Sequence, residues 1–295
     1  MNKQLNILLQ TTIPYAEDDW HIGRFSLLTE HLRSLKDESG DSLYEVSARN
    51  REANSYGFDP ILSTLDESDF DQLWLFALDL GEGLTPTDCA GITRFRQRGG
   101  GILSARDHND MGSSLCTLGG IGTAHYFHSK NPDPDPTRNV RDDPFTTYID
   151  FPNYHSGANG DYQKIDAVDH ELLRRADGSM IEYFPAHPHE GAVGVPDDSA
   201  RVVATGTSKV TGRDFSLVVA FEHSTDSHGN RLGRAIAESS FHHLVDYNWN
   251  TDMGCPSFLE EPPGDEIKRD PEKQNDIKQY VANVARWLNA EALTK

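Results

Sequence analysis

The chain has 295 residues, with 27 Lys and Arg against 47 Asp and Glu, a formal net charge of −20. A protein that tracks phosphates needs a basic face to release counterions, so this balance excludes a nucleic-acid partner and disfavours an anionic membrane surface. Aromatic residues make up 9% of the chain, too many for a disordered protein, and no apolar run approaches the roughly 20 residues of a membrane helix.

Residues 6–11 are a short apolar run that reads as a first strand. Across residues 22–36, Ile22, Phe25, Leu28, Leu32 and Leu35 fall at helical spacing. Residues 44–48 give a second strand. Residues 72–78 give a third, with no polar alternation, as in a strand buried on both faces. Residues 87–97 read as a helix, capped by Thr85 or Thr87 and ended by Gly99, and residues 102–105 as a fourth strand. Strands separated by helices predict a parallel sheet. Residues 129–163 are rich in Pro, Asp, Asn and Gly and read as a long irregular insertion, either a mobile surface loop or a substrate-contacting lid. Residues 201–205 and 215–221 pair as a hairpin through Thr211-Gly212-Arg213, and residues 235–239 form a last strand. Over residues 275–288, Ile277, Tyr280, Val281, Val284, Ala285 and Leu288 make one apolar helical stripe. The expected organisation is one α/β domain over residues 1–295, with an insertion at 129–163 and a C-terminal helix at 275–290. Cys89, Cys116 and Cys255 are odd in number and far apart, which argues for neither a disulfide framework nor a cysteine metal knuckle. With no signal-peptide pattern after the first strand, a cytoplasmic location is expected.

In a parallel α/β sheet, ligands bind beyond the carboxyl ends of the strands. The segments there are Tyr15 to His21, Asp79 to Gly83, Arg106 to Asp110 and Ser240 to His243, and three of the four carry histidine. Such a rim suits a polar small-molecule substrate. A second polar group is Phe184-Pro185-Ala186-His187-Pro188-His189-Glu190-Gly191. Two histidines two residues apart in an extended segment point to the same side. With Glu190 they offer ligands for zinc or another divalent metal; the alternative is a rigid loop whose histidines bond to the backbone.

Residues 73–108 run strand, Gly-Glu-Gly-Leu-Thr turn, helix, Gly99-Gly100-Gly101, strand, polar turn. Gly233-Arg234 then precedes an apolar strand and His242, and His21 follows the first strand. In these features the chain resembles the ThuA-like (trehalose-utilisation) family of the class I glutamine amidotransferase-like superfamily. The resemblance implies a flavodoxin-like three-layer α/β/α sandwich and a hydrolase or lyase of sugar metabolism. It covers most of residues 5–128 and 200–250, and the family's His-Pro element corresponds to the segment around His187. The chain departs from the amidotransferase pattern at two points. Arg106 stands where the nucleophilic cysteine would be, and Leu244 stands where a glutamate would follow the histidine by two residues. Arginine is no nucleophile, so glutaminase activity is not expected.

The candidate catalytic residues are therefore Arg106, to hold an anionic oxygen, and Asp107, His108 and His242, for proton transfer. Trp20, His21, Glu82 and His243 are candidate substrate contacts, with Trp20 and Trp249 as stacking surfaces. His187, His189 and Glu190 are the candidate metal ligands. The competing expectation is a non-catalytic small-molecule-binding protein on a degenerate amidotransferase-like scaffold. A homo-oligomer is left open.

Overall fold

The computed structural model describes residues 4–289 apart from Ser227 and Asn230. Its centre is a sheet built from the apolar runs of the sequence: β1 (Leu5–Thr11), β2 (Tyr44–Arg49), β3 (Gln72–Phe76), β4 (Gly101–Ala105), β5 (Asp166–Ala167), β6 (Ala200–Thr207), β7 (Asp214–Phe221) and β8 (Ala235–Glu238). The strand order is β2-β1-β3-β4-β8-β7-β6-β5. The five strands from β2 to β8 are parallel, and the remaining three pairings are antiparallel. All five residues of β3 are buried, because helices and loops cover both faces. Two apolar cores result, one on each face: Leu9, Trp74, Phe76 and Ile236 belong to one, and Leu8, Leu73, Leu75 and Ile102 to the other. This is the flavodoxin-like three-layer α/β fold.

The helices follow their sequence signals closely. The predicted helix at 22–36 opens with a 3-10 turn, Ile22–Phe25, before α1 (Ser26–Ser34). Its N-terminus is held from a distance, because the Asp246 carboxylate accepts from Ser26 N at 3.0 Å and Leu27 N at 2.7 Å. Helix α2 (Pro86–Gln97) starts at a reciprocal Thr85–Asp88 capping box with Pro86 in the first turn. Helix α3 (Gln274–Trp287) buries the expected stripe, including Ile277, Tyr280, Val281 and Val284. The β6–β7 hairpin turns at Gly212, whose φ of +68° favours glycine. No described helix is long and apolar enough to cross a membrane.

Residues 129–163 are not a loose surface loop. Tyr154 and Glu190 exchange backbone hydrogen bonds of 2.9 and 2.8 Å, and Asn109 N donates to Pro152 O at 2.8 Å. The Tyr154 ring stacks on Phe215 at 4.8 Å. The insertion buries Asp142, Asp143, Asn153, Ser156 and Asn159, and several of these polar groups face the ends of the strands.

Candidate functional site

The parallel strands deliver their carboxyl ends to one edge. Asp107 and His108 follow β4. Ser240, Phe241 and His242 follow β8, where Ser240 caps a 3-10 turn by accepting from His242 N at 3.1 Å. The 187–191 segment lies across both strand ends. Gly191 allows this approach, since a Cβ there would sit 2.4 Å from Asp107 O and 2.6 Å from Ser239 O.

Asp107 is the hub of the resulting cluster. Its Oδ2 is 2.9 Å from His108 Nδ1 and 3.6 Å from His242 Nε2. Its Oδ1 accepts from Ser240 Oγ at 3.1 Å and lies 3.2 Å from His187 Nε2. The His187 and His242 rings stack at 3.6 Å and 10°. Trp20 meets His242 edge-on at 4.7 Å. Asp107, His187 and His242 are buried, and His108, with 19% of its side chain exposed, is the member that reaches solvent. Burial would raise the Asp107 carboxyl, but His187, His108 and His242 facing it hold it well below the usual carboxylate range. Burial lowers His187, against the pull of Asp107. Burial and the neighbouring His187 keep His242 well below the ordinary imidazole value. Two imidazoles stacked this closely cannot both carry a charge without strong repulsion.

His189 sits beside this cluster, with ring centroids 5.2 Å from His108 and 5.5 Å from His187. Its Nε2 is 3.1 Å from Glu261 Oε1, and its Nδ1 is 3.2 Å from Asn153 Oδ1 and 3.5 Å from Asp143 Oδ2. The His189 hydrogen bond holds Glu261 down at about 2. Two groups of side chains have metal-ligand spacing: Asp107, His108 and His187, and Asp143, His189 and Glu261.

The other sequence candidates lie elsewhere. Arg106 is fully buried and does not face the cluster. It donates to the carbonyls of Tyr126, Asn109 and Met111 and lies 4.0 Å over the Phe127 ring. Burial brings its pKa down to about 9, against the pull of Asp107 and Asp110, so it stays cationic at neutral pH. Glu190, an expected metal ligand with His187 and His189, does not face them, and Glu261 stands beside His189 instead. Glu190 turns inward, where its carboxylate accepts from Gln163 Nε2 at 2.6 Å, Ser156 Oγ at 3.0 Å and Ser239 Oγ at 3.0 Å, and pairs with His243 Nε2 at 3.1 Å. His243, expected as a substrate contact, is thus part of that inner layer and not of the rim: it follows His242 in a 3-10 turn, where successive side chains diverge. His21 caps the turn before α1 by accepting from Gly23 N at 3.1 Å. Glu82 is exposed and takes no part in the cluster's hydrogen bonds. Trp20 is buried against His242 and presents no open face, while Trp249 donates to the His243 carbonyl at 2.8 Å. Sequence reasoning missed Asp143, Asn153, Asn159 and Glu261. All four lie in irregular segments; the concentration of Asp and Asn in the insertion was a signal for Asp143, Asn153 and Asn159, and nothing local marked Glu261.

No family model matches the chain, and no curated protein is similar to it. Solved structures are similar in fold. The mmIFT52 N-terminal domain superposes with a TM-score of 0.50 at 14% identity, covering 96% of each chain. A ThuA-like protein from Parabacteroides merdae gives 0.46 at 12% identity, covering 99% of this chain and 92% of the other. The glutaminase domain of Trypanosoma brucei CTPS, with bound acivicin, gives 0.46 at 12% identity, covering 96% and 93%. At 14% identity, what the chain shares with the first of these is the fold alone.

Proposed function

We propose that the chain is an enzyme of hydrolase or lyase type acting on a hydroxylated small molecule such as a sugar. Its reaction centre is Asp107, His108, His187 and His242, and a divalent first-row ion such as zinc is held by Asp107, His108 and His187.

The observation that carries this reading is the setting of His187. Its Nδ1 is 3.0 Å from Asn159 Oδ1, which accepts a proton there and leaves Nε2 with a lone pair. That buried Nε2 has no hydrogen-bond partner, although Asp107 Oδ1 is 3.2 Å away. A lone pair and a carboxylate oxygen facing each other repel unless a proton or a metal ion lies between them, and the direction of the ring nitrogen here does not suit a hydrogen bond. An amide oxygen fixing the far nitrogen is the arrangement that orients metal-ligating histidines. Two imidazoles and one carboxylate suit zinc and its first-row neighbours.

When bound, such an ion polarises a substrate oxygen or lowers the pKa of a water. The chain's own residues supply the rest. Ser240 fixes the Asp107 carboxylate. His242, shielded by Trp20 and stacked on His187, accepts or returns a proton at Nε2. His108 marks the side from which the substrate arrives. Arg106 in place of the elbow cysteine, buried and committed to carbonyls, supports a chemistry other than glutamine hydrolysis.

The test is turnover of a panel of keto-sugars and glycosides by zinc-loaded protein. His242→Ala should lower kcat about 10²- to 10⁴-fold, the usual weight of a positioned acid–base group. Full activity in both His242→Ala and Asp107→Asn would remove the cluster from the reaction. Tight ligand binding with no turnover across the panel would favour a binding protein.

A further inference from the structure

The setting of His187 is repeated one step along the chain. At His187, the Nδ1 meets the side-chain oxygen of Asn159 at 3.0 Å and the Nε2 faces Asp107 at 3.2 Å. At His189, the Nδ1 meets the side-chain oxygen of Asn153 at 3.2 Å and the Nε2 faces Glu261 at 3.1 Å, with the difference that this Nε2 also meets Thr146 Oγ1 at 3.1 Å and so has hydrogen-bond partners. Both asparagines come from the insertion, both are buried, and in both the amide nitrogen has no partner. The third member of each triplet is His108 in one and Asp143 in the other. The two triplets meet through the His108–His189 and His187–His189 rings at 5.2 and 5.5 Å. Among the described residues, none of Asp107, Asp143 and Glu261 forms an ion pair with Lys or Arg; each pairs only with histidine. Asp107 and Asp143 are buried and Glu261 is half-buried. Asp143 accepts from Phe145 N at 2.9 Å and from Thr146 N, and Glu261 from Thr146 Oγ1 at 3.4 Å, but no fixed positive charge joins these two carboxylates, and a cation between them would offset their repulsion.

From this repeat we infer a second divalent-cation site formed by Asp143, His189 and Glu261, making the centre a two-ion one. This rests on the single-ion reading above and extends it. The first triplet has two imidazoles and one carboxylate, and the second has two carboxylates and one imidazole. The second is therefore the harder donor set, better suited to manganese and more weakly selective for zinc. Two neighbouring ions suit a reaction that stabilises both an attacking and a leaving oxygen. That narrows the chemistry towards hydrolysis and away from elimination.

The experiment counts ions. The full chain is stripped with chelator, dialysed against Mn²⁺ or Zn²⁺, and its metal content measured per chain, with Mn²⁺ spectra by electron paramagnetic resonance. The unsubstituted chain should hold two ions and show the signal of a coupled Mn²⁺ pair. Glu261→Gln, nearly isosteric, should hold one ion and lose the coupled signal, while its metal-free form keeps the circular dichroism spectrum and melting temperature of the metal-free unsubstituted chain. Asp143→Asn is the second variant with the same expectation. His187→Ala should lose the other ion. If His187→Ala loses an ion but Glu261→Gln and Asp143→Asn retain the full content, the second site is overturned and the single-ion reading stands. If the unsubstituted chain takes up no ion, both fall.

Discussion

Two layers of histidine and carboxylate lie within a few residues of each other, and they behave differently. In the inner layer, the Glu190 carboxylate is met by Gln163, Ser156, Ser239 and His243. His243 also faces Glu238 at 3.6 Å, and Glu238 accepts from Tyr280 at 2.7 Å. Burial would lower His243, but Glu190 and Glu238 raise it to about 10. In the outer layer, the imidazoles of His187 and His242 each keep a buried nitrogen without a hydrogen-bond partner. The strand end sorts neighbours between the layers: His242 goes out and His243 in, His189 out and Glu190 in. The inner carboxylate is well supplied with donors, as structural polar groups are. The outer carboxylate, Asp107, has one hydroxyl donor, Ser240, and otherwise meets imidazoles; unpartnered ring nitrogens occur in both layers, at His243 Nδ1 as well as at His187 and His242.

The sharpest way to break this comparison is to remove one charge from each layer. Glu190→Gln leaves the His243 imidazolium buried beside a neutral amide, and loss of one partner from a buried pair costs about 3–5 kcal/mol. Urea denaturation should show this loss. Asp107→Asn should reduce metal content and turnover with a much smaller change in denaturation midpoint. Equal destabilisation by the two variants would erase the distinction between layers. Arg106→Met comes next. It strips donors from the carbonyls of Tyr126, Asn109 and Met111, at about 1–3 kcal/mol for each buried acceptor left unsatisfied. The folded fraction should keep its metal content. Loss of the ion at unchanged stability would bring Arg106 back into the site.

Gly191→Ala tests the approach of the 187–191 segment to the strand ends. Its Cβ would meet two backbone carbonyls at 2.4 and 2.6 Å, and neither can swing away. The expected cost is about 1–3 kcal/mol, as for overpacking. The metal affinity should fall as well, because His187 and His189 ride on the displaced segment. Isothermal titration with Zn²⁺ separates the two effects; unchanged affinity would mean that the segment's position does not set the ligand geometry.

Seven of the eight strands were legible in the sequence as short runs with turn chemistry at their ends, and α2 because its cap residues are local; β5, the two residues Asp166–Ala167, is too short to leave a pattern. Asp107, His108 and His242 were legible for a topological reason: whatever follows a parallel strand stands at the rim. Arg106 follows the same rule, yet it faces away, because its guanidinium is taken up by the carbonyls of Tyr126, Asn109 and Met111 and by the Phe127 ring. Glu190 likewise turns away from His189, its carboxylate taken up by Gln163, Ser156, Ser239 and His243. Asp143, Asn153, Asn159 and Glu261 lacked any periodicity to read. Their places depend on long-range contacts such as Tyr154 with Glu190 and Asn109 with Pro152, and such contacts leave no local spacing in the sequence.

A pH dependence on the alkaline side belongs to the inner layer, whereas the lowered imidazoles of His187 and His242 act on the acid side. The folded His243 value of about 10 lies above the ordinary 6.5. Its stabilisation is therefore complete below about 6.5, declines as pH rises, and is gone above about 10. Burial would raise Glu190, but His243, His187 and Ser156 hold it below its ordinary 4.5. Its contribution is present above that value and lost as pH falls through the depressed one. The inner pair thus favours folding most between about 4.5 and 6.5 and loses stability at up to about 1.4 kcal/mol per pH unit on the alkaline side. Urea midpoints of the metal-free chain measured from pH 5 to 10 should follow this decline. In Glu190→Gln the alkaline slope should shrink, because His243 has lost its nearest carboxylate. An unchanged slope in that variant would place the titrating group outside the inner layer.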